Sequence, residues 1–192
     1  MTAIVGLVHD GVVYIGGDSA GVSGYSMTVR ADAKVFRIGP YVFGFTTSFR
    51  MGQLIRYALV APTPAGNLDR FMATTFVNAV RECLKEGGWA KRDNDREEGG
   101  TFLVGVRGRL FTVEDDYQVG ASADGYAAVG CGSEIALGAL FATARTSMPP
   151  KQRVTIALEA AERFSAGVRG PFLVKKARRF DSDGRKTPAT SI

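Results

Sequence analysis

Apolar residues alternate or run together over residues 3–9 and 12–17, with Asp10-Gly11 between them. Period-two alternation marks strands, and Asp-Gly between two such runs marks a two-residue hairpin turn. The Gly- and Ser-rich residues 18–27 read as a loop. Residues 34–38 and 41–47 then form a second hairpin around Gly39-Pro40. The period changes at residues 49–60, where Met51, Leu54, Ile55, Ala58 and Leu59 recur at helical spacing. Pro62 and Pro64 break that helix, and Leu68 to Glu86 resumes it until Gly87-Gly88 stops it. The polar residues 89–100 read as an exposed loop. Strands are expected at 101–106, 109–114 and 125–129, helices at 133–146 and 150–165 with Pro149-Pro150 between them, and a last strand at 171–179.

The order is therefore strands, two helices, strands, two helices, strand. It defines an α+β chain with antiparallel sheets. Two sheets with paired helices on their outer faces, a four-layer αββα stack, would bury every apolar stripe, although the pattern alone does not single that arrangement out. At 192 residues the chain fits one domain, placed at 1–180, with 181–192 as a flexible tail.

Composition narrows the picture a little. Apolar residues at 45% and charged residues at 22% are ordinary for a water-soluble globular protein. No apolar run reaches the ~18 residues a membrane helix needs, and the N-terminus lacks the pattern of a secretion signal. Cys83 and Cys131 fit no metal spacing, so reduced thiols in a cytoplasm are expected, with no metal and no cofactor. The net charge of +5 comes from Lys175, Lys176, Arg178, Arg179, Arg185 and Lys186, which read as a charge-protected edge strand and tail rather than a nucleic-acid surface.

The chemistry gathers on three residues of the first strands. Once Met1 is removed, Thr2 carries a hydroxyl nucleophile and a free α-amine on one residue, a nucleophile with its own base. A two-residue turn at 10–11 places Thr2 across from Ser19 with Asp18 one step diagonal, and Gly16-Gly17 could form a bulge that re-aims Asp18. Lys34 opens the next hairpin beside the same edge. An ammonium there lowers the cost of an alkoxide, and a carboxylate keeps the ammonium charged and aimed.

Thr2-Ala-Ile-Val-Gly, Gly16-Gly-Asp18-Ser-Ala and Ala33-Lys34-Val-Phe-Arg-Ile resemble the N-terminal half of proteasome β-type subunits and HslV-type peptidases. Gly125-Tyr-Ala-Ala-Val-Gly130-Cys131-Gly132-Ser133, running into Ala136-Leu-Gly-Ala-Leu140, resembles that family's glycine-serine-glycine turn and the helix after it. The resemblance spans residue 2 to about 175 and implies the αββα fold of the N-terminal-nucleophile hydrolases. It implies Thr2 as nucleophile, its amine as proton shuttle and Lys34 as activator held by Asp18. Cys131 takes the place of a serine beside the amine. A backbone N–H at 46–48 lines the oxyanion hole, with Thr47 where the family has glycine. Phe36, Phe45 and Phe49, with Ala20, Gly21 and Asp32, fall where the family builds its specificity pocket, although core packing explains the phenylalanines equally well. Near 164 the family has an aspartate and this chain reads Arg163-Phe164-Ser165, where Phe164 cannot take the aspartate's role and Ser165 could keep a neighbouring hydrogen bond.

The expected activity is threonine-type cleavage of unfolded polypeptides inside a ring-shaped or helical homo-oligomer, with an ATP-driven unfoldase as a possible partner. The competing readings are a non-catalytic proteasome-like shell subunit and an amidase acting on a dedicated substrate.

Overall fold

The computed structural model describes residues 1–93 and 96–177. The first hairpin joins β1 (Ile4–His9) to β2 (Val12–Gly17), and β3 (Ala20–Ser23) and β4 (Ser26–Val29) form a second. A third joins β5 (Val35–Ile38) to β6 (Tyr41–Phe45), followed by helix α1 (Phe49–Tyr57). The next helix runs as α2 (Leu68–Phe71), a wide π turn (Met72–Phe76) and α3 (Val77–Glu86). After the short β7 (Lys91–Asp93) and β8 (Arg96–Glu98) come β9 (Phe102–Val106), β10 (Arg109–Val113), β11 (Val119–Gly120) and β12 (Tyr126–Val129). Helices α4 (Ser133–Thr143) and α5 (Pro150–Phe164) and strand β13 (Leu173–Lys176) complete the described chain.

Two antiparallel sheets carry the fold, ordered β12-β1-β2-β13 and β11-β10-β9-β6-β5. Each is buried on both faces, as the side-chain alternation along β1 makes plain. Ala3, Val5 and Leu7 pack outward against Ala136, Leu140, Val154, Ala157, Leu158 and Ala161 of α4 and α5. Ile4, between them, points inward with Val13, Ile15, Val35, Val42 and Leu103 to fill the space between the sheets. The outer face of the second sheet offers Phe36, Tyr41, Phe43, Phe45, Phe102 and Phe111 to Met51, Leu54, Phe76 and Val80 of the other helix layer. The αββα stack follows: three apolar interfaces between four layers of secondary structure.

Glycines set the spacing of these layers. A side chain at Gly44 would strike Ile15 at 2.7 Å and also Ile4, so the sheets close only because β6 is bare there. Gly17 has the same role against Ile4 and Val35, each 2.8 Å from a would-be Cβ.

Four expectations need correcting. Residues 18–27 are not simply a loop: with Gly24 at φ 56°, a two-residue turn at Gly24-Tyr25 pairs β3 with β4 from Ala20↔Val29 to Ser23↔Ser26. The polar stretch 89–100 contains the paired strands β7 and β8, and Trp89 and Ala90 before them pack half-buried against the core. The register of β1 and β2 is unbroken from Ile4↔Gly17 to His9↔Val12, so Gly16-Gly17 form no bulge; Gly16 instead makes room for Val154 of α5. The expected helices and strands also end early, at Tyr57, Thr143, Phe45 and Lys176. Lys175 and Lys176 do lie on an edge strand, β13 beside β2, whereas the tail 181–192 and the basic residues from Arg178 onward lie outside the described residues.

Overfilling the inter-sheet layer tests this packing. Gly44→Val is expected to lower the unfolding free energy by about 1–3 kcal/mol in a urea titration, with the fold retained.

Candidate active site

The end of the first hairpin, the start of β5 and the turn before α4 meet at one edge of the sandwich. Asp18 continues the β1–β2 pairing, its N–H donating to the Ala3 carbonyl at 3.3 Å. The carboxylate faces four donors. Oδ1 accepts from Ala3 N–H at 3.1 Å and Lys34 Nζ at 2.8 Å; Oδ2 accepts from Ala20 N–H at 2.9 Å and Arg169 N–H at 3.3 Å. Lys34 also donates to Thr2 Oγ1 at 2.8 Å. All three side chains are buried, with residue exposures of 4% for Thr2 and 2% for Asp18 and Lys34.

A buried ion pair is stable only when both charges keep partners. Here Asp18 has an ammonium and three backbone N–H groups. Burial still dominates for Lys34: it pushes the amine below its ordinary range, against the opposing pull of Asp18.

Gly130 has φ 98°, and a side chain there would collide with the Thr2 carbonyl, so glycine is required. The turn it makes wraps Thr2. Gly132 N–H donates to the Thr2 carbonyl at 3.3 Å, and Ser133 N–H closes onto Gly130 O at 3.1 Å as α4 begins. Cys131 Sγ accepts from Thr2 N–H at 3.2 Å and stands 3.5 Å from the Thr2 carbonyl. Ser165 Oγ lies 3.4 Å from the same sulfur, so Ser165 is the polar group at this point while Phe164 is 75% exposed and apart from the site. Met1 is present, its carbonyl accepting from Thr2 Oγ1, and Thr2 N is an amide.

A cleft of about 490 Å³ opens beside Thr2 Oγ1. Its walls include Met1, Ala20, Gly21, Asp32, Phe45, Thr47 and Phe49, together with Arg30, Val22 and Thr28. Phe36 is the exception among the residues singled out from the sequence. It is buried in the helix-facing core, stacked 5.4 Å from Phe43, and does not reach the cleft. Thr47 holds φ 60°, a costly region for a β-branched residue. Its Oγ1 accepts from Thr101 N–H at 3.0 Å, and Gly100 leaves room for its methyl. The side chain is thereby anchored, and among the described residues no group accepts from Thr47 N–H.

Two features had no readable signal in the sequence. Arg30 lies 4.0 Å from the Phe49 ring centre and pairs with Asp32 at 2.6 and 2.7 Å, holding that carboxyl below the usual carboxylate range. Arg169 contributes only its backbone, so its side-chain type is silent. Ser165, by contrast, is the residue next to Phe164 that the sequence offered for a neighbouring hydrogen bond, and its Oγ does lie beside Cys131 Sγ. Among the described residues no three His, Cys, Asp or Glu side chains stand together as metal ligands, and no helix is long and apolar enough to cross a membrane.

No family model matches the chain, and no curated protein matches it. Solved structures do. Thiobacillus denitrificans BPH in complex with epoxomicin superposes with a TM-score of 0.75 at 20% identity, over 91% of this chain and 97% of its own. HslV from Trypanosoma brucei gives 0.67 at 18% identity, over 91% and 98%. Anbu, an ancestral β-subunit, from Yersinia bercovieri gives 0.64 at 16% identity, over 91% and 81%. The chain therefore has the fold of proteasome β-type and HslV subunits, the N-terminal-nucleophile hydrolase sandwich.

Two outcomes test the electrostatics. Asp18→Ala strands a buried ammonium and is expected to cost about 3–5 kcal/mol of stability in chemical unfolding. Lys34 binds its proton less tightly folded than unfolded, so the unfolded chain holds more protons between the folded pKa and 10.5. Stability should therefore rise with pH across that window relative to Lys34→Met, which lacks the group. A falling or flat difference contradicts the burial argument.

Proposed function

We propose that the protein is an N-terminal threonine peptidase that cleaves unfolded polypeptide within a homo-oligomer. The observation that carries this reading is the Lys34 ammonium held 2.8 Å from both Thr2 Oγ1 and Asp18 Oδ1 at the mouth of a cleft. The likeness in fold to HslV and to an ancestral β-subunit supports it.

Loss of Met1 converts the Thr2 amide nitrogen into an α-amine beside Cys131 Sγ. An unperturbed α-amine titrates near ~7.7–8.0 and is partly neutral at pH 7. It takes the proton from Thr2 Oγ1 as the oxygen attacks the substrate carbonyl carbon, and Lys34 stabilises the charge growing on Oγ1. The Thr47 N–H receives the oxyanion; such donors are worth ~2.7–4 kcal/mol. The ammonium returns its proton to the leaving amine as the C–N bond breaks, which leaves an ester on Thr2. Water, deprotonated by the same amine, then hydrolyses the ester. Cys131, with Ser165 against its sulfur, holds the amine in line between these transfers. Ala20, Gly21, Asp32, Phe45 and Phe49 line the cleft that receives the substrate side chain. An unfoldase that feeds the chain unfolded protein and a cytoplasmic location are part of this reading.

The test is turnover of fluorogenic peptides by protein released with Thr2 as its first residue. Thr2→Ala is expected to abolish cleavage, and Lys34→Ala to lower kcat by at least ~10²-fold with assembly intact. Equal rates for Thr2→Ala and the unchanged protein reject the assignment. A folded chain that begins at Thr2 yet is inert to every peptide favours the dedicated-amidase reading, and one that also tolerates Lys34→Ala favours the shell reading.

A further inference from the structure

Of the four donors on the Asp18 carboxylate, the Arg169 N–H is the one that no strand or helix places. Ala3 adjoins β1, Ala20 opens β3 and Lys34 adjoins β5, whereas Arg169 lies in the irregular stretch 165–172 between α5 and β13. Its hydrogen bond is also the longest of the four, at 3.3 Å. Something else must fix its direction.

The peptide unit between Arg169 and Gly170 is held at both ends. Its carbonyl accepts from Ser19 N–H at 2.8 Å, and its N–H donates to Glu162 Oε1 at 3.0 Å. A peptide unit is planar, so two anchors on opposite edges fix its orientation and with it the direction of the N–H one residue earlier. Ser19 Oγ adds a bond to the Pro171 carbonyl at 2.6 Å, on the Asp18 side of the stretch. Glu162, two residues before the end of α5, is the anchor on the helix side. Its oxygen is also 3.9 Å from Arg169 Nε, but both side chains are partly in water and an ion pair of that length contributes little. The backbone bond is what Glu162 supplies.

We propose that Glu162 is a positioning residue for the peptidase centre: it holds the 169–170 peptide so that the Arg169 N–H stays on Asp18 Oδ2, and Asp18 in turn keeps the Lys34 ammonium on Thr2 Oγ1. The inference rests on the catalytic reading of Thr2 and Lys34. Glu162 itself touches neither the cleft nor the reacting atoms. Its task is done by an oxygen at the right reach, whatever its charge.

Reach and charge have opposite consequences at Lys34. Without the Arg169 N–H, the Asp18 charge is less compensated and draws harder on the Lys34 proton, so the amine titrates higher. Removing the Glu162 charge alone acts in the other direction. The other groups that act on Lys34 are Asp18, Cys131 and Arg30, and none of them changes in the variants below.

The test sets Glu162→Asp, which keeps the charge and loses the reach, against Glu162→Gln, which keeps the reach and loses the charge. In protein that begins at Thr2, Glu162→Asp is expected to lower kcat on a fluorogenic peptide ~10-fold or more with KM unchanged. Glu162→Gln is expected to keep the parent kcat. The Lys34 titration is followed by NMR of carbon-13-lysine-labelled chain, its signal assigned by loss in Lys34→Met. It should move up in Glu162→Asp and stay in place in Glu162→Gln. This readout needs no turnover: a parent protein that cleaves nothing sinks the peptidase reading, while the titration still decides the role of Glu162. A Glu162→Asp protein whose Lys34 titrates like the parent's overturns the proposal. So does a Glu162→Gln protein that loses as much kcat as Glu162→Asp, or whose Lys34 titrates lower.

Discussion

The Asp18–Lys34 ion pair is the constraint around which the site is organised. An ammonium and a carboxylate with almost no access to water are stable only if each keeps its partners, and those partners come from distant parts of the chain. Ala3 is on the first strand, Ala20 lies beyond the second, Lys34 opens the third hairpin, and Arg169 belongs to the segment after the last helix. One carboxylate thereby ties four segments to a common point. Thr2 stands at that point because β1 begins there, and Lys34 retains a hydrogen to give its hydroxyl. The same desolvation that weakens the hold of Lys34 on its proton removes the water that would screen its charge from a developing alkoxide.

Much of this was legible in the chain. The Asp10-Gly11 turn fixed the pairing of β1 with β2, and that register alone brings Asp18 to the level of Ala3. The helical period at Met51 to Leu59 and from Leu68 onward located the layer that covers the aromatic face. What escaped was carried by backbone or by context. The Arg169 N–H gives no residue signal. Phe36 and Phe45 share the helix-facing side of adjacent strands, yet only Phe45, the last residue of β6, meets the cleft, because how far along its strand a side chain sits relative to the site is not written in its residue type. The hairpin β3–β4 was masked by its Gly and Ser content, since its pairing rests on a turn at Gly24-Tyr25 and little burial: all four residues of β4 are exposed.

Two substitutions relative to the resembled pattern find physical compensation. Thr47 occupies a backbone region that suits glycine, but the Thr101 amide and the space left by Gly100 hold its side chain aside, and its N–H has no acceptor among the described residues. Cys131 is a weak hydrogen-bonding group, yet it touches Thr2 N, the Thr2 carbonyl and Ser165 together, so position makes up for strength. Met1, by contrast, is incompatible with the proposed chemistry, because while it remains the Thr2 nitrogen is an amide and cannot accept a proton.

The most direct measurement is the mass of the intact chain, followed by peptide mapping, after incubation with a peptide epoxyketone, whose two electrophilic carbons close a stable ring with a threonine hydroxyl and its own free α-amine. The account predicts a chain that begins at Thr2 and carries one equivalent of probe, retained on the N-terminal peptide and absent when Thr2 is replaced by alanine. A chain that still carries Met1, or a chain beginning at Thr2 that takes up no probe, contradicts it.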